Sequence, residues 1–317
     1  MPEDVKRLIA IVGPTGIGKS RLALHLAGLF NGEIISADSR QLYRFLDIGT
    51  AKPAKEDLSS IPHHLIDVIN PDEDFSLAEY QEMAYRAIAD IQHRKKLPFL
   101  VGGSGMYVKA VLEGWHIPRV SPNNKFRYNV EKKAEQGGAE ELYQELCTVD
   151  PEAAAKIDRR NIRRIVRALE VYAKSNVPFS QLGYKETPDF DPFIIGLTAE
   201  RAELYRIVDR RVDSMIEKGL VDEVANLLKI GYDFTLTAMS GIGYRQIRQY
   251  LSGEISLEEA GQKIKTETHR FVRHQYAWFR LNDEKIHWFD ILRHSYRNIE
   301  EAIEDYLGNS EIITERA

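Results

Sequence analysis

The sequence predicts an α/β fold: a parallel sheet with helices on both faces, interrupted by a helical insertion. Three observations predict it. Short apolar runs with no polar alternation, the pattern of strands buried on both faces, alternate with stretches of helical spacing. A glycine-rich turn joins the first such run to the first helix. Between residues 117 and 189 the chain is charged and helical, with no convincing buried strand, and reads as material inserted into the core. The core is therefore predicted over 1–116 and 190–317, and the insertion over 117–189.

Taken in order, "RLIAIV" (Arg7–Val12) is the first strand and "KSRLALHLAGLF" the first helix. "GEIISAD" (Gly32–Asp38) is the second strand and "HHLIDVI" (His63–Ile69) the next candidate. The helical "SLAEYQEMAYRAIADIQHRKK" then leads into the strand "LPFLVGG" (Leu97–Gly103). "DPFIIGLT" (Asp191–Thr198) returns the chain to the sheet, and "AERAELYRIVDRRVDSMIEKGLVDEVANLL" and "SLEEAGQKIKTETHRFVRHQYAWFRL" are helical after it. The last residues, "GNSEIITERA", read as a frayed end. In such a sheet ligands meet the carboxyl ends of the strands.

A chain of 317 residues can bury a substantial core. It has no apolar run near the roughly 20 residues that span a bilayer, and no charged-then-apolar leader before Gly13, so a cytoplasmic protein without a membrane partner is expected. One cysteine, Cys147, leaves no internal disulfide framework and no multi-cysteine zinc site. A net charge of -5 argues against RNA binding by the whole surface and directs attention to where the arginines cluster.

"IVGPTGIGKS" (Ile11–Ser20) matches G-x-x-x-x-G-K-[ST] from Gly13 to Ser20, with Thr15 and Gly16 inside the turn. The glycines allow successive N–H groups to turn inward, Lys19 adds a point charge, and the Ser20 hydroxyl suits Mg²⁺. The helix that starts there adds its positive end. Strand, loop and helix in this order give a P-loop NTPase-like core and a phosphate site, the class to which ATP-binding proteins belong, but they do not name the chemistry.

Asp38 stands just past the second strand, on the same sheet edge as this loop. It suits a general base or a water-mediated Mg²⁺ ligand, and a helix cap or turn residue equally on type alone. Gln41 and Tyr43 beside it favour a planar, hydrogen-bonding substrate such as a nucleobase. "GGSGMY" (Gly102–Tyr107) brings glycines and Ser104 to the end of another strand, for close ligand approach or simply for a tight turn.

"DRRNIRRIVRALEVY" places Arg159, Arg163 and Arg167 at i, i+4 and i+8, with Arg160 and Arg164 beside them; Ile162, Ile165, Val166 and Leu169 are left to pack inward. Such a stripe fits a polyanion, or a solvated face paired with glutamates. Arg201, Arg206, Arg210 and Arg211 follow the late strand, and one of them is placed to stabilise phosphate charge as a bond breaks. "MSGIGYRQI" (Met239–Ile247) fits contacts to unpaired nucleotides, or a packed turn between helices.

Together, "GPTGIGKS", "ISADSRQLYRFLDIGTAKP", "HHLIDV", "GGSGMYVKAV", "RRNIRRIVRALEVY" and "GIGYRQ" resemble the tRNA dimethylallyltransferase, or isopentenyl-tRNA transferase, family of bacterial type, from about Leu8 to Phe289. The resemblance implies transfer of a dimethylallyl group from dimethylallyl diphosphate to N6 of the adenosine just 3′ of the anticodon, with release of diphosphate. It implies Mg²⁺, a tRNA anticodon stem-loop as partner, and a monomer. Asp38 matches the general base, and Ser39, Arg40 and Gln41 the segment lining the adenosine. Gly13, Thr15, Gly16, Gly18, Lys19 and Ser20 match the diphosphate cradle, with Ser20 on the metal. Ser104 matches a hydroxyl near the reaction centre, and Arg211 an arginine on the diphosphate. Arg163, Arg164 and Arg167, with Gly243, Tyr244, Arg245 and Gln246, match tRNA-contacting segments. Ser104 and Met106 stand where Thr and Leu are usual, and His274 where Arg is usual, so His274 is given no role. With a single cysteine and a bacterial-type resemblance, the zinc-finger extension of eukaryotic members is not expected.

Two other readings use fewer of these residues. A P-loop small-molecule kinase using ATP employs the loop and Asp38 but leaves the arginine stripe and "GIGYRQ" idle. A nucleotide-switched RNA-binding protein employs the arginines but gives Asp38 no task.

Overall fold

The computed structural model describes residues 6–118, 120 and 124–314. It divides into two compact units, one of Met1–Phe75, Gln81–Leu112 and Asp189–Ala317, the other of Ser76–Tyr80 and Glu113–Pro188.

In chain order the elements are β1 (Arg7–Val12), α1 (Lys19–Leu29), β2 (Gly32–Ser36), α2 (Lys55–Ser60), β3 (His63–His64), α3 (Leu77–His93), β4 (Leu97–Val101) and α4 (Gly105–Leu112). Then follow α5 (Asn124–Lys133), a π turn (Ala134–Gly138), α6 (Ala139–Val149), α7 (Pro151–Lys156), α8 (Ile162–Ser175) and α9 (Phe179–Leu182). The chain closes with β5 (Asp191–Thr198), α10 (Arg201–Glu217), α11 (Leu220–Lys229), a 3₁₀ turn (Ala238–Ser240), α12 (Tyr244–Leu251), α13 (Leu257–Trp278), β6 (Ile286–Asp290) and α14 (Tyr296–Thr314).

The first unit holds a six-stranded sheet in the order β3-β2-β4-β1-β5-β6, and every neighbouring pair is parallel. β1 lies in the middle, with Ile9 opposite Phe99 of β4 and Phe193 of β5. Residues Leu8 to Val12 are fully buried, as a strand covered on both faces requires. Ile9, Ile11, Leu22, Leu26, Phe99 and Ile195 belong to one cluster that presses α1 onto the sheet.

Several expectations need correction. The strand expected over His63–Ile69 is only His63–His64, because Leu65 (φ 62°) and Asp67 (φ 55°) turn the backbone out of extended geometry; Ile69 returns as a single bridge to Tyr43. The second strand stops at Ser36 and the fourth at Val101, leaving Asp38, Gly102 and Gly103 in the turns beyond. β6 was not anticipated; its three-residue tail Trp288–Asp290 is half-buried, so "IHWFD" carries no continuous apolar signal. The long helix after β5 breaks at Gly219 (φ 97°) into α10 and α11. The supposed frayed end is helical to Thr314, and 315–317 lie outside the described residues.

Among the described residues the second unit is helical apart from an isolated antiparallel bridge between Trp115 and Lys185. Leu142, Leu146, Ala154, Ile157, Ile165 and Leu169 form its core. Asp150 caps α7 by accepting from Ala153 N at 3.0 Å and ties in α9 through Ser180 N at 2.8 Å. Glu170, buried, accepts a two-pronged pair from Arg127 at 2.9 and 2.7 Å.

Candidate active site

The phosphate loop lies between the end of β1 and the start of α1. Gly13 has φ 139° and passes so close to β5 that a Cβ would sit 2.5 Å from the Leu197 carbonyl oxygen, so only glycine fits. Gly18 (φ 98°) turns the chain into α1, leaving Ser20 exposed in its first turn. The Lys19 ammonium rests on the loop, donating to the Gly13 carbonyl at 2.9 Å and the Pro14 carbonyl at 2.8 Å. Withdrawal from water lowers its pKa to about 7, the nearby Arg211 adds to the fall, and Asp38 partly offsets it. Arg211, on α10, is likewise lowered by desolvation and supported by Asp38. The three charged groups expected to carry chemistry thus feel one another.

Asp38 follows β2. Its Oδ1 accepts the Arg40 amide at 2.9 Å, a local turn that fixes the carboxylate. The Ser104 hydroxyl accepts the Ser39 amide at 3.0 Å and lies 3.4 Å from the Ser39 hydroxyl, pinning the turn after β2 to the turn after β4. Gly102 and Gly103 are explained by packing: added Cβ atoms would meet the Ala37 carbonyl oxygen at 2.1 Å and Gln275 Nε2 at 2.2 Å. Arg40 reaches the 3₁₀ turn, donating to the Ala238 carbonyl at 3.4 Å and to Ser240 Oγ at 3.1 Å. Gln41 is engaged within its own connection, accepting from Ser36 Oγ at 3.0 Å and donating to the Thr50 and Ala51 carbonyls at 3.3 Å.

These groups line two cavities. One of about 770 Å³ holds Thr15, Lys19, Ser20, Asp38, Arg211 and Lys218 on its walls. Another of about 340 Å³ shares Thr15, Asp38 and Arg211, and adds Ser104, Phe271 and Arg245. Cations stand at the phosphate loop, a carboxylate between the cavities, and apolar surface beyond. Among the described residues no cluster of His, Cys, Asp and Glu could hold a metal ion by itself. Ser20 and Asp38 on the wall of the larger cavity are hard oxygen donors of the kind that suits Mg²⁺.

Two residues that sequence reasoning missed organise this site. Gln275, buried on α13, accepts the Thr15 amide at 2.8 Å and donates to the Gly103 carbonyl at 3.0 Å, so one side chain joins the phosphate loop to the β4 turn. Its only sequence signal is a polar residue in step with the apolar Val272 and Phe279 on a helix. Glu223 on α11 accepts the amides of Asp47, Ile48 and Gly49 at 2.9, 2.6 and 3.1 Å, fixing a stretch that lines both cavities.

Several expected RNA contacts are corrected. Tyr244 is buried, its ring beside the backbone of Gly49 and its hydroxyl donating to Glu223 at 2.7 Å, so it serves as part of the wall of the smaller cavity and not as an exposed stacking ring. Burial and Glu223 raise its pKa far above the usual range. Gln246 is buried and caps α12 by accepting the Gly243 amide at 2.9 Å. Gly243 (φ 96°) makes the turn, and Arg245 is the exposed member of that segment. The arginine stripe is shorter than expected, because Arg159 and Arg160 precede α8 and Arg160 pairs with Asp158 at 2.9 Å. Arg163 and Arg164 are exposed, whereas Arg167 is drawn inward to Glu170 at 2.7 Å and the Val120 carbonyl at 3.0 Å. Of the later arginines, Arg206 pairs with Glu203 and only Arg211 enters the site.

Known proteins place this arrangement. The sequence profile of the IPP transferase family matches residues 41–282. A tRNA dimethylallyltransferase of Roseiflexus castenholzii is 54% identical over 273 residues, covering 86% of this chain and 89% of its own. The tRNA isopentenylpyrophosphate transferase structure of Bacillus halodurans superposes with a TM-score of 0.71 at 37% identity, covering 98% and 100% of the two chains. A eukaryotic dimethylallyltransferase acting on tRNA superposes with a TM-score of 0.78 at 26% identity, covering 96% and 80%. With a phosphate loop after β1, a carboxylate past the end of β2 on the same edge of the sheet and this likeness along nearly its whole length, the chain belongs to the IPP transferase family.

Proposed function

We propose that the protein transfers a dimethylallyl group from dimethylallyl diphosphate to N6 of the adenosine 3′-adjacent to the anticodon of tRNA, releasing diphosphate. The observation that carries this reading is that Lys19, Arg211 and Asp38 line one cavity at the carboxyl edge of the sheet. A small-molecule kinase would use the same loop, but none of the relatives compared is named as one.

Adenine N6 is a weak nucleophile, since its lone pair is delocalised into the ring. Asp38 would take a proton from N6 as the new C–N bond forms, and the allylic C–O bond to diphosphate would break. Negative charge then grows on the leaving group. The loop amides, Lys19 and Arg211 stand ready to receive it, with the start of α1 adding its positive end. Mg²⁺, held by Ser20 and the phosphates, would supply further charge neutralisation. Ser104 would orient the turn carrying Asp38 through Ser39. The adenosine must leave its stack to enter, a step that is cheap in a hairpin loop. Arg163, Arg164 and Arg245 are the exposed cations we assign to the RNA backbone, the first two on the second unit.

The test is to incubate the protein with Mg²⁺, dimethylallyl diphosphate and a synthetic anticodon hairpin bearing the target adenosine, then weigh the RNA. A gain of one dimethylallyl group supports the reading. An unchanged RNA, with ATP consumed in the presence of small metabolites, returns the site to a kinase.

A further inference from the structure

We propose that exposed Phe45, stacked on half-buried Tyr232, is a stacking platform for an unpaired RNA base flanking the reactive nucleotide, an inference that rests on the tRNA reading above. Phe45 lies in the connection that begins at Asp38. Its φ is 68°, a left-handed backbone that side chains with a Cβ rarely adopt, and its ring is 49% exposed. Leu42, Tyr43 and Leu46 around it are buried and already supply the apolar anchors of this connection. The turn would form with less strain around glycine, so the phenyl ring does nothing evident for the fold.

The ring is nonetheless held in place. Its centroid lies 6.2 Å from that of Tyr232 at an interplanar angle of 26°, an offset stack. Tyr232 is itself fixed after α11 by donating its amide to the Leu227 carbonyl at 3.0 Å. On the other side, Glu223 fastens the amides of Asp47, Ile48 and Gly49. A preordered aromatic surface of this size suits one base, and stacking tolerates any base because each has a π face. Its position suits a neighbour of the reacting nucleotide: Asp47, Ile48 and Thr50, immediately after Phe45, line the cavity that also holds Asp38.

The experiment uses the full chain and two anticodon hairpins, with 2-aminopurine on the 5′ or the 3′ side of the target adenosine. Binding to the parent protein is expected to quench one of the two. Phe45→Gly is expected to abolish that quenching and weaken hairpin binding about tenfold, whereas Phe45→Trp retains both. The turnover number with saturating hairpin stays unchanged, and the melting temperature of Phe45→Gly does not fall, since the strained backbone is relieved. Should Phe45→Gly fold poorly, Phe45→Asn, which tolerates the left-handed backbone, takes its place. Hairpin affinity within about twofold of the parent and undiminished quenching overturn the platform. Unchanged hairpin binding with a smaller sedimenting mass for Phe45→Gly gives the rings to a second copy of the chain, which also overturns it. If the parent binds no hairpin at all, the tRNA reading itself has failed.

Discussion

Gln275 and Thr15 are joined by a 2.8 Å hydrogen bond from the phosphate-loop amide to a side chain on α13. The same Gln275 amide donates to Gly103, 172 residues earlier in the chain. One buried side chain therefore sets the spacing between the cradle for the leaving group and the turn that carries Ser104.

Replacing Gln275 by methionine keeps the volume and removes both bonds. The buried Gly103 carbonyl is then unpaired, costing roughly 1–3 kcal/mol, and the half-buried Thr15 amide loses its partner too. The melting temperature should fall by about 2–4 °C per kcal/mol for a chain of this size. Calorimetry should also show weaker pyrophosphate binding with hairpin affinity unchanged. Equal loss of both affinities would mean that Gln275 supports the fold without shaping the cradle.

Tyr244 gives a contrasting case. Tyr244→Phe removes only the hydroxyl that donates to Glu223, and is expected to cost about 1 kcal/mol while leaving hairpin affinity unaltered. Glu223→Ala should cost more, because three backbone amides and the Tyr244 hydroxyl lose their acceptor together. A marked loss of RNA binding in Tyr244→Phe at full stability would restore Tyr244 as an RNA contact.

These residues also mark how far the sequence could be read. The glycine turn between β1 and α1, the placement of Asp38 just past β2 and the parallel sheet were legible because each depends on local spacing. Tyr244, Gln246 and Arg167 are more enclosed than the expectation had them because residue type does not say which way a side chain points. Each has the polar chemistry of an RNA contact, and each spends it inside the protein. Gln275 and Glu223 were missed because their partners are backbone groups far away in sequence, and backbone groups leave no mark in it. β6 was missed since an edge strand with half-buried positions lacks the continuous apolar run that revealed β1.

Under the proposed function, Lys19 should make diphosphate binding depend on pH. Its folded pKa is about 7 against an ordinary 10.5, so between these values the unfolded chain holds a proton that the folded protein has lost. Stability therefore rises with pH across that window as far as Lys19 is concerned. A bound diphosphate favours the charged ammonium and draws a proton back. Calorimetry near pH 8 in buffers of different ionisation enthalpy should show greater proton uptake for the parent than for Lys19→Gln. Identical uptake in the two proteins would mean that Lys19 is already charged before the ligand arrives.

The arginines of α8 should separate into two kinds. Arg163→Ala and Arg164→Ala remove exposed charges, and each is expected to weaken hairpin binding and reduce its salt slope by about 1 with no change in melting temperature. Arg167→Ala removes one of the cations paired with buried Glu170, and should lower stability by roughly 1–3 kcal/mol while the salt slope stays constant. A slope change in Arg167→Ala without loss of stability would reverse the assignment.

Asp38→Asn tests the chemistry most directly. Asparagine keeps an oxygen to accept the Arg40 amide, so the turn after β2 should survive. What it loses is a base. Transfer is expected to slow by about 10²–10⁴-fold, the usual contribution of a positioned proton acceptor. The same change removes the negative charge that supports the cationic forms of Lys19 and Arg211. A diphosphate no longer meets that carboxylate in the cavity, so pyrophosphate affinity should be maintained or increased even as turnover collapses. Hairpin affinity should hold as well, since the exposed arginines are untouched. A loss of turnover accompanied by a matching loss of both affinities would indicate a collapsed turn. Turnover within about tenfold of the parent would take the proton from Asp38 and require another acceptor in the cavity.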